Sequence, residues 1–189
     1  MMTSLQSGVG TSQHKVQNAP MTNTSLPPFS ERPFPERFVA HTSCLLNSYR
    51  HWLGRDLVPR CGAACEDALT LFRADFVVVS HNTDPDPMLD YGNEAALRLW
   101  EMDLATLLAT PSRLTAEPVH RSERERLLQR TKRNGFVNDY QGVRISASGQ
   151  RFRIEQATVW NLFDEQGNHR GQAATFSDWH MLDSQTAGS

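Results

Sequence analysis

Cysteine is scarce in this 189-residue chain: Cys44, Cys61 and Cys65 are all there is. An odd, small number does not build a disulfide framework and fits a reducing cytoplasm. No apolar run approaches the ~18–20 residues needed to cross a membrane. No apolar signal core follows Met1, so nothing marks the chain for secretion. Neither sign of charge dominates, since 19 Lys and Arg against 21 Asp and Glu leave a net charge of −2. That balance argues against a general nucleic-acid binder. A nucleophile–base pattern is also missing. Glu117 and Glu155 stand without an obvious acid–base partner, so no enzyme is expected. The length and ordinary composition fit one domain plus trimmings.

What the chain does have is a stretch around which the rest is arranged, residues 150–179. Phe152 and Ile154 alternate with Arg151, Arg153 and Glu155, the period of a half-buried strand. The alternation blurs at Ala157, Val159 and Trp160, which implies cover on both faces. Asp164 to Asn168 form a polar turn with Gly167 where a hairpin commonly needs positive φ. The second arm, Gly171 to Trp179, places small Ala173 and Ala174 before Phe176. So apolar a hairpin cannot stand alone in water, and the remaining chain must supply its neighbours.

Residues 1–34, rich in Ser, Thr, Gln, Asn, Gly and Pro, cannot offset their ordering entropy and read as a disordered leader. Residues 35–73 form an N-terminal helical extension. Phe38, Thr42, Leu45, Leu46, Tyr49, Trp52 and Leu53 share one helical face, bounded by Gly54 and Pro59. That face can cover the domain's own sheet or pair with the same helix in a second copy. In the second case Phe38, Leu45, Tyr49 and Trp52 are the interface. A short helix follows near Ala64–Arg73. Cys61 and Cys65, with no second pair nearby, are a weak zinc signal and read as incidental.

Residues 74–182 form the core, and 183–189 a disordered tail. Phe76 to Val79 read as a central strand. His81, Asp84 and Asp86 could suggest a metal, but the prolines around them make a capped turn the better reading; no metal site is expected. Met88 to Tyr91 is a short strand. Asn93 caps a helix over 94–101, Asp103 caps 104–108, and Pro111 starts a third short helix. Such pieces are stable only when packed. A longer, basic helix spans 118–134 and ends at Gly135; its arginines read as a solvated face. Phe136 to Ser146 is a strand leading into the hairpin.

The local wording goes further than this order of elements. Tyr91-Gly92-Asn93 with Ala95-Ala96-Leu97, then Trp100-Glu101, come first. Pro111 to Pro118, Tyr140 to Ser146, Arg151 to Ile154, Val159 to Leu162 and Gly171 to Phe176 follow. Together they resemble the MEKHLA domain, a PAS-like family, over roughly residues 38–180. The resemblance implies an α+β fold: a five-stranded antiparallel sheet with short helices over one face and an N-terminal helical extension. It also implies a regulatory or sensory role. In plants the domain ends class III homeodomain–leucine zipper regulators, where it is implicated in controlling dimerisation. This chain shows no homeodomain and no leucine heptads, and resembles the short, free-standing bacterial form.

A PAS-type sheet with a helical cover can enclose a small cavity. The candidate lining is Val78, Trp100, Leu104, Leu114, Leu127, Tyr140, Val143, Ile154 and Phe176, with Ser112, Arg113 and Arg144 as polar groups in reach. An arginine there would favour a carboxylate or phosphate. Flavin photoadduct chemistry needs a cysteine in the helical cover, and none follows Cys65; plain flavin binding stays open. Haem needs an axial ligand, and His120 reads as a surface histidine. The cofactor is left unknown. The expected function is a cytosolic sensory module that binds a small molecule or partner protein and signals through altered protein contact, as a homodimer or through a separate output protein. The alternative is a ligand-free dimerisation or interaction module, and a small enzyme on a cone-like α+β fold is the less favoured third reading.

Overall fold

The computed structural model describes residues 34–116, 130–131 and 133–182. Of the expected leader 1–34, residues 1–33 lie outside the described residues, as do the tail from 183 and Glu117, His120 and Leu127; Phe34, expected in the leader, instead stacks on Phe38 at 4.7 Å. Among the described residues no helix is long and apolar enough to cross a membrane.

The hairpin is the spine of the sheet. Strand β4 (Arg151–Phe163) and strand β5 (His169–Phe176) pair antiparallel. Asp164 closes their turn, its carboxylate accepting from the main-chain N–H groups of Gln166 (3.0 Å) and Asn168 (2.8 Å). Gly167 takes φ +80° there, as the turn requires. The Asn168 side-chain amide, which donates to the same carboxylate at 3.1 Å, and then these main-chain bonds hold the Asp164 carboxyl below its ordinary pKa.

Strand β1 (Val77–His81) pairs with β5 on one side and with β2 (Leu89–Gly92) on the other. It runs on through Ser80 and His81, beyond the expected end. Strand β3 (Phe136–Ile145) flanks β4, giving the order β2-β1-β5-β4-β3 with every pair antiparallel. The expected single second arm of the hairpin breaks at Ser177–Asp178. Its remainder is a sixth strand, β6 (Trp179–Met181), which pairs with the start of β4.

Helix α1 (Glu36–Leu53) and α2 (Ala64–Phe72) lie on one face of this sheet. Phe38, Leu45, Leu46, Tyr49, Leu71 and Phe72 pack there with Val78, Tyr91, Trp160, Leu162 and Ala173. Gly54, at φ +70°, ends α1 by giving its N–H to the Arg50 carbonyl. On the other face sits α3 (Glu94–Trp100), followed by α4 (Leu104–Leu108) and a 3-10 turn, Ser112–Thr115. Ala95, Ala96, Leu99 and Trp100 pack with Val77, Phe152, Ile154, Ala157 and Phe176. Of the basic helix expected over 118–134, only helical residues at 130–131 and 133–134 are described.

A register shift explains the blurred alternation of β4. Tyr140 pairs with Ala157 and Gly142 with Ile154, so Gln141 alone faces both Glu155 and Gln156. The extra residue is a β-bulge, and it moves the strand by one step in phase. Phe152, Ile154 and Ala157 therefore join the α3-side cluster, while Trp160 and Leu162 join the α1-side cluster.

Two expectations are corrected by this packing. The apolar face of α1 covers the chain's own sheet: Phe38, Leu45 and Tyr49 are buried there and are not a free dimer face. Trp52 gives its indole N–H to the Asn161 carbonyl at 3.0 Å. Val78 faces α1, while its neighbours Val77 and Val79 face α3, because successive strand residues alternate. Val78 thus cannot line one cavity with Trp100 and Phe176.

Candidate functional site

The α3 face carries the densest aromatic grouping of the candidate lining. Asn93 sets it up. Its side-chain oxygen accepts from Ala96 N (3.1 Å), capping α3, and from Val78 N (3.0 Å). Its amide donates to the Phe76 carbonyl at 2.7 Å. One buried side chain thereby fixes α3 against β1. Small Ala95 and Ala96 let the helix approach closely, and Trp100 at its end drops onto the sheet. The indole meets Phe152 edge-on at 5.3 Å and Phe176 at 6.2 Å, and Phe176 meets Trp179 at 6.0 Å.

The far end of α3 is pinned as well. Glu101 sits at φ 55°, a left-handed conformation uncommon for a residue with a side chain. Its carboxylate accepts from the Ser146 hydroxyl at 2.7 Å and from Ser148 N at 3.3 Å. Ala147 N donates to the Trp100 carbonyl at 2.9 Å. The turn between β3 and β4 therefore holds Trp100 in place from behind. Hydrogen bonds from Ser148 and Ser146 keep the Glu101 carboxyl below its usual pKa.

Trp100 is 3% exposed, and its indole N–H has no hydrogen-bond partner. Ile154 and Phe176 share the cluster, with Tyr140 half-buried at its margin. Arg144 is not a free cation: its guanidinium donates to the Tyr140 hydroxyl at 3.1 Å and stacks over that ring at 5.4 Å. Val143 is half-buried and gives its carbonyl to the same guanidinium at 3.1 Å. The other candidates lie elsewhere. Leu104 packs half-buried against the cluster containing Tyr91. Leu114 is 58% exposed, and Arg113 is exposed and paired with Asp86 at 2.9 Å. Ser112 gives its main-chain N–H to Pro87 at 2.8 Å. The 3-10 turn thus serves to hold the 82–88 loop.

Phe152, Ala157, Val77 and Trp179 belong to the cluster and were not among the candidates. Phe152 was legible as an inward strand residue. Ala157 became an inward residue only through the bulge. Trp179 joins because the chain breaks at 177–178.

A second polar cluster lies under α1. Ser80 donates its hydroxyl proton to Asp90, and His41 Nε2 lies 2.9 Å from Ser80 Oγ and 3.5 Å from Asp90 Oδ1. With the serine proton committed to Asp90, His41 Nε2 is the donor to Ser80. That order withholds the base a serine nucleophile needs. Burial lowers the His41 pKa; Asp90 raises it and Arg170 lowers it further. Nothing in the sequence pointed to this trio, whose members are spread over three elements. Among the described residues no group of three or more His, Cys, Asp or Glu side chains could hold a metal. His81 Nδ1 lies 2.8 Å from the Asn82 carbonyl, the Asp84 carboxylate accepts from the Asn82 amide at 2.8 Å, and Asp86 pairs with Arg113.

The sequence profile of the MEKHLA domain matches residues 39–181. The homeobox-leucine zipper protein ATHB-9 of Arabidopsis thaliana is 23% identical over 175 residues. That alignment takes in 88% of this chain but 20% of the plant protein, so the chain spans about a fifth of that relative. Among solved structures, an RNA-binding light-oxygen-voltage receptor superposes with a TM-score of 0.50 at 22% identity, over 67% of this chain and 35% of that one. A PAS domain from Colwellia psychrerythraea gives 0.49 at 10% identity, over 62% and 94%.

Proposed function

The chain belongs to the MEKHLA domain family, and from its sensory PAS-like fold we propose that it binds a small, flat, largely apolar ligand on the α3 face and signals through altered contact with another protein. The observation that supports this reading is the Trp100 indole. A buried donor without an acceptor costs about 1–3 kcal/mol, and such groups in folded proteins call for a reason. A ligand carrying a carbonyl or other acceptor would supply the missing partner, and Phe152, Phe176 and Trp179 would supply its stacking surface. We read the module as non-catalytic: among the described residues Glu155 pairs with the exposed Arg153 and His180. Three free cysteines support a cytoplasmic setting. The output is assigned to a partner protein or a second copy.

Native mass spectrometry of the purified full chain, beside its denatured mass, tests this. The expected result is an extra mass that denaturation removes and whose occupancy falls in Trp100→Phe, where one lost hydrogen bond of ~1.4 kcal/mol weakens binding about tenfold. A wild-type chain with no extra mass, or a Trp100→Phe chain that keeps it, overturns the ligand reading. The first of these leaves the ligand-free interaction module in its place.

A further inference from the structure

Asn161 on β4 uses all four of its polar groups, and they reach three different elements. Its main-chain N–H donates to the Gly135 carbonyl at 3.0 Å. Its side-chain amide donates to the Thr131 carbonyl at 3.3 Å. Its side-chain oxygen accepts from Gln172 of β5 at 3.0 Å, and its main-chain carbonyl accepts the Trp52 indole N–H at 3.0 Å. Gly135 closes the preceding helical turn by donating to the Thr131 carbonyl at 2.8 Å. It stands at φ +77°, and a Cβ there would come within 2.2 Å of the Trp52 ring. The indole therefore rests directly on the Gly135 backbone. Trp52 also lines a groove of about 430 Å³ between α1 and the β4–β5 turn, with His51, Phe163, Asp164 and Glu165 around it.

We propose that Asn161, Gly135 and Trp52 form a junction that couples the helical turn before β3 to the C-terminal end of α1, so that a shift of that turn reshapes the groove beside Trp52. The physical reason is shared anchorage. The turn cannot move off Thr131 and Gly135 without giving up Asn161. Asn161 cannot move without withdrawing the carbonyl that holds Trp52. Trp52 in turn has no slack, because it already touches Gly135 where a methyl group would not fit. Coupling of this kind is reciprocal, so loosening either end loosens the other. The inference concerns the chain's own residues and does not depend on the ligand reading.

Hydrogen exchange of the full chain tests it with two variants and a control. Trp52→Phe removes the N–H to Asn161 together with benzo-ring atoms that lie over Gly135, so it releases the turn at both contacts. Amides 131–135 are then expected to exchange about tenfold faster, the signature of a cheaper local opening. Asn161→Ser removes side-chain bonds to Thr131 and Gln172, none of which reaches α1. Amides 48–53 of α1 are nonetheless expected to speed up by about the same factor. His41→Asn loosens the opposite end of α1 and is expected to leave 131–135 unchanged. Effects confined to each variant's own element overturn the proposal. So does acceleration of 131–135 in the His41 control, or equal acceleration throughout β5, which would mark general loosening.

Discussion

Under α1 the sheet meets a helix that keeps reaching it with polar atoms. His41 bonds to Ser80, Ser48 accepts from Phe163 N at 3.0 Å, Cys44 donates to the Phe163 carbonyl at 3.1 Å, and Trp52 donates to Asn161. Under α3 the contact is between small residues and rings, with Asn93 and Glu101 fixing the two ends of the helix. The difference teaches how each helix is held. Hydrogen bonds to strand main chain can be exchanged for bonds to water at modest net cost. Close packing has no such substitute and is lost outright when a surface separates. Both faces rest on close packing, and the α1 face adds hydrogen bonds along its helix that solution conditions can reach. The α3 face has its polar anchors at the two ends of the helix.

The comparison breaks most visibly if a large ring is removed from each side. Trp160→Ala and Phe152→Ala are each expected to cost about 3–5 kcal/mol in urea unfolding, because both rings are fully buried. Equal losses in one cooperative transition mean the faces fold as a unit. A clearly smaller loss for Trp160→Ala would mean that α1 relaxes into the space. Asn93→Ala comes next, at about 3 kcal/mol. It strands the Val78 and Ala96 N–H groups on the α3 side and is expected to loosen α3 more than α1 in hydrogen exchange.

A pH effect of smaller size should appear on the α1 face. Burial depresses the His41 pKa, so the folded chain holds that proton less tightly than the unfolded chain. The stabilisation is present in full above the unfolded value of about 6.5. It is lost as pH falls through the folded value, because the unfolded state then binds more protons. Urea midpoints are expected to drop between about pH 7.5 and about pH 5.5 in the wild type, and His41→Asn should flatten that difference. A midpoint that rises on acidification would show that the Asp90 contact outweighs burial.

The smallest expected effect is the sharpest. Trp160, like Trp100, carries a buried indole N–H with no partner. Trp100→Phe and Trp160→Phe should each change stability by less than about 1 kcal/mol, since each removes an orphaned donor along with some packing. Only Trp100→Phe should change ligand occupancy. If both do, the unpaired donor on the α3 face has no special standing.

Much of this was legible in the residues themselves. The caps at Asn93 and Asp103, the Gly54 stop and the Gly167 turn each have a local cause, and each stands where the pattern put it. The helical stripe of α1 was equally clear, but a stripe does not say what it will cover. Val78 was misplaced because a continuous apolar run hides which of its residues faces which way. Leu114 looked like core by composition and is exposed, because its 3-10 turn braces a loop. The His41, Ser80 and Asp90 trio and the Asn161 junction join residues far apart in the chain, and no spacing rule brings them together.

The bulge at Glu155 and Gln156 has a consequence for how this chain can change. It acts like a frame-shift built into β4, whose inward residues change parity on passing it. Substitutions at single positions of β4 alter one contact each. A deletion of one residue at the bulge would turn Phe152 and Ile154 toward α1 and bring Arg151 and Arg153 under Trp100. Length between Ile154 and Ala157, whatever residues fill it, is thus a quantity the fold cannot trade. Engineered libraries should show substitutions at Glu155 and Gln156 freely and gaps there hardly at all.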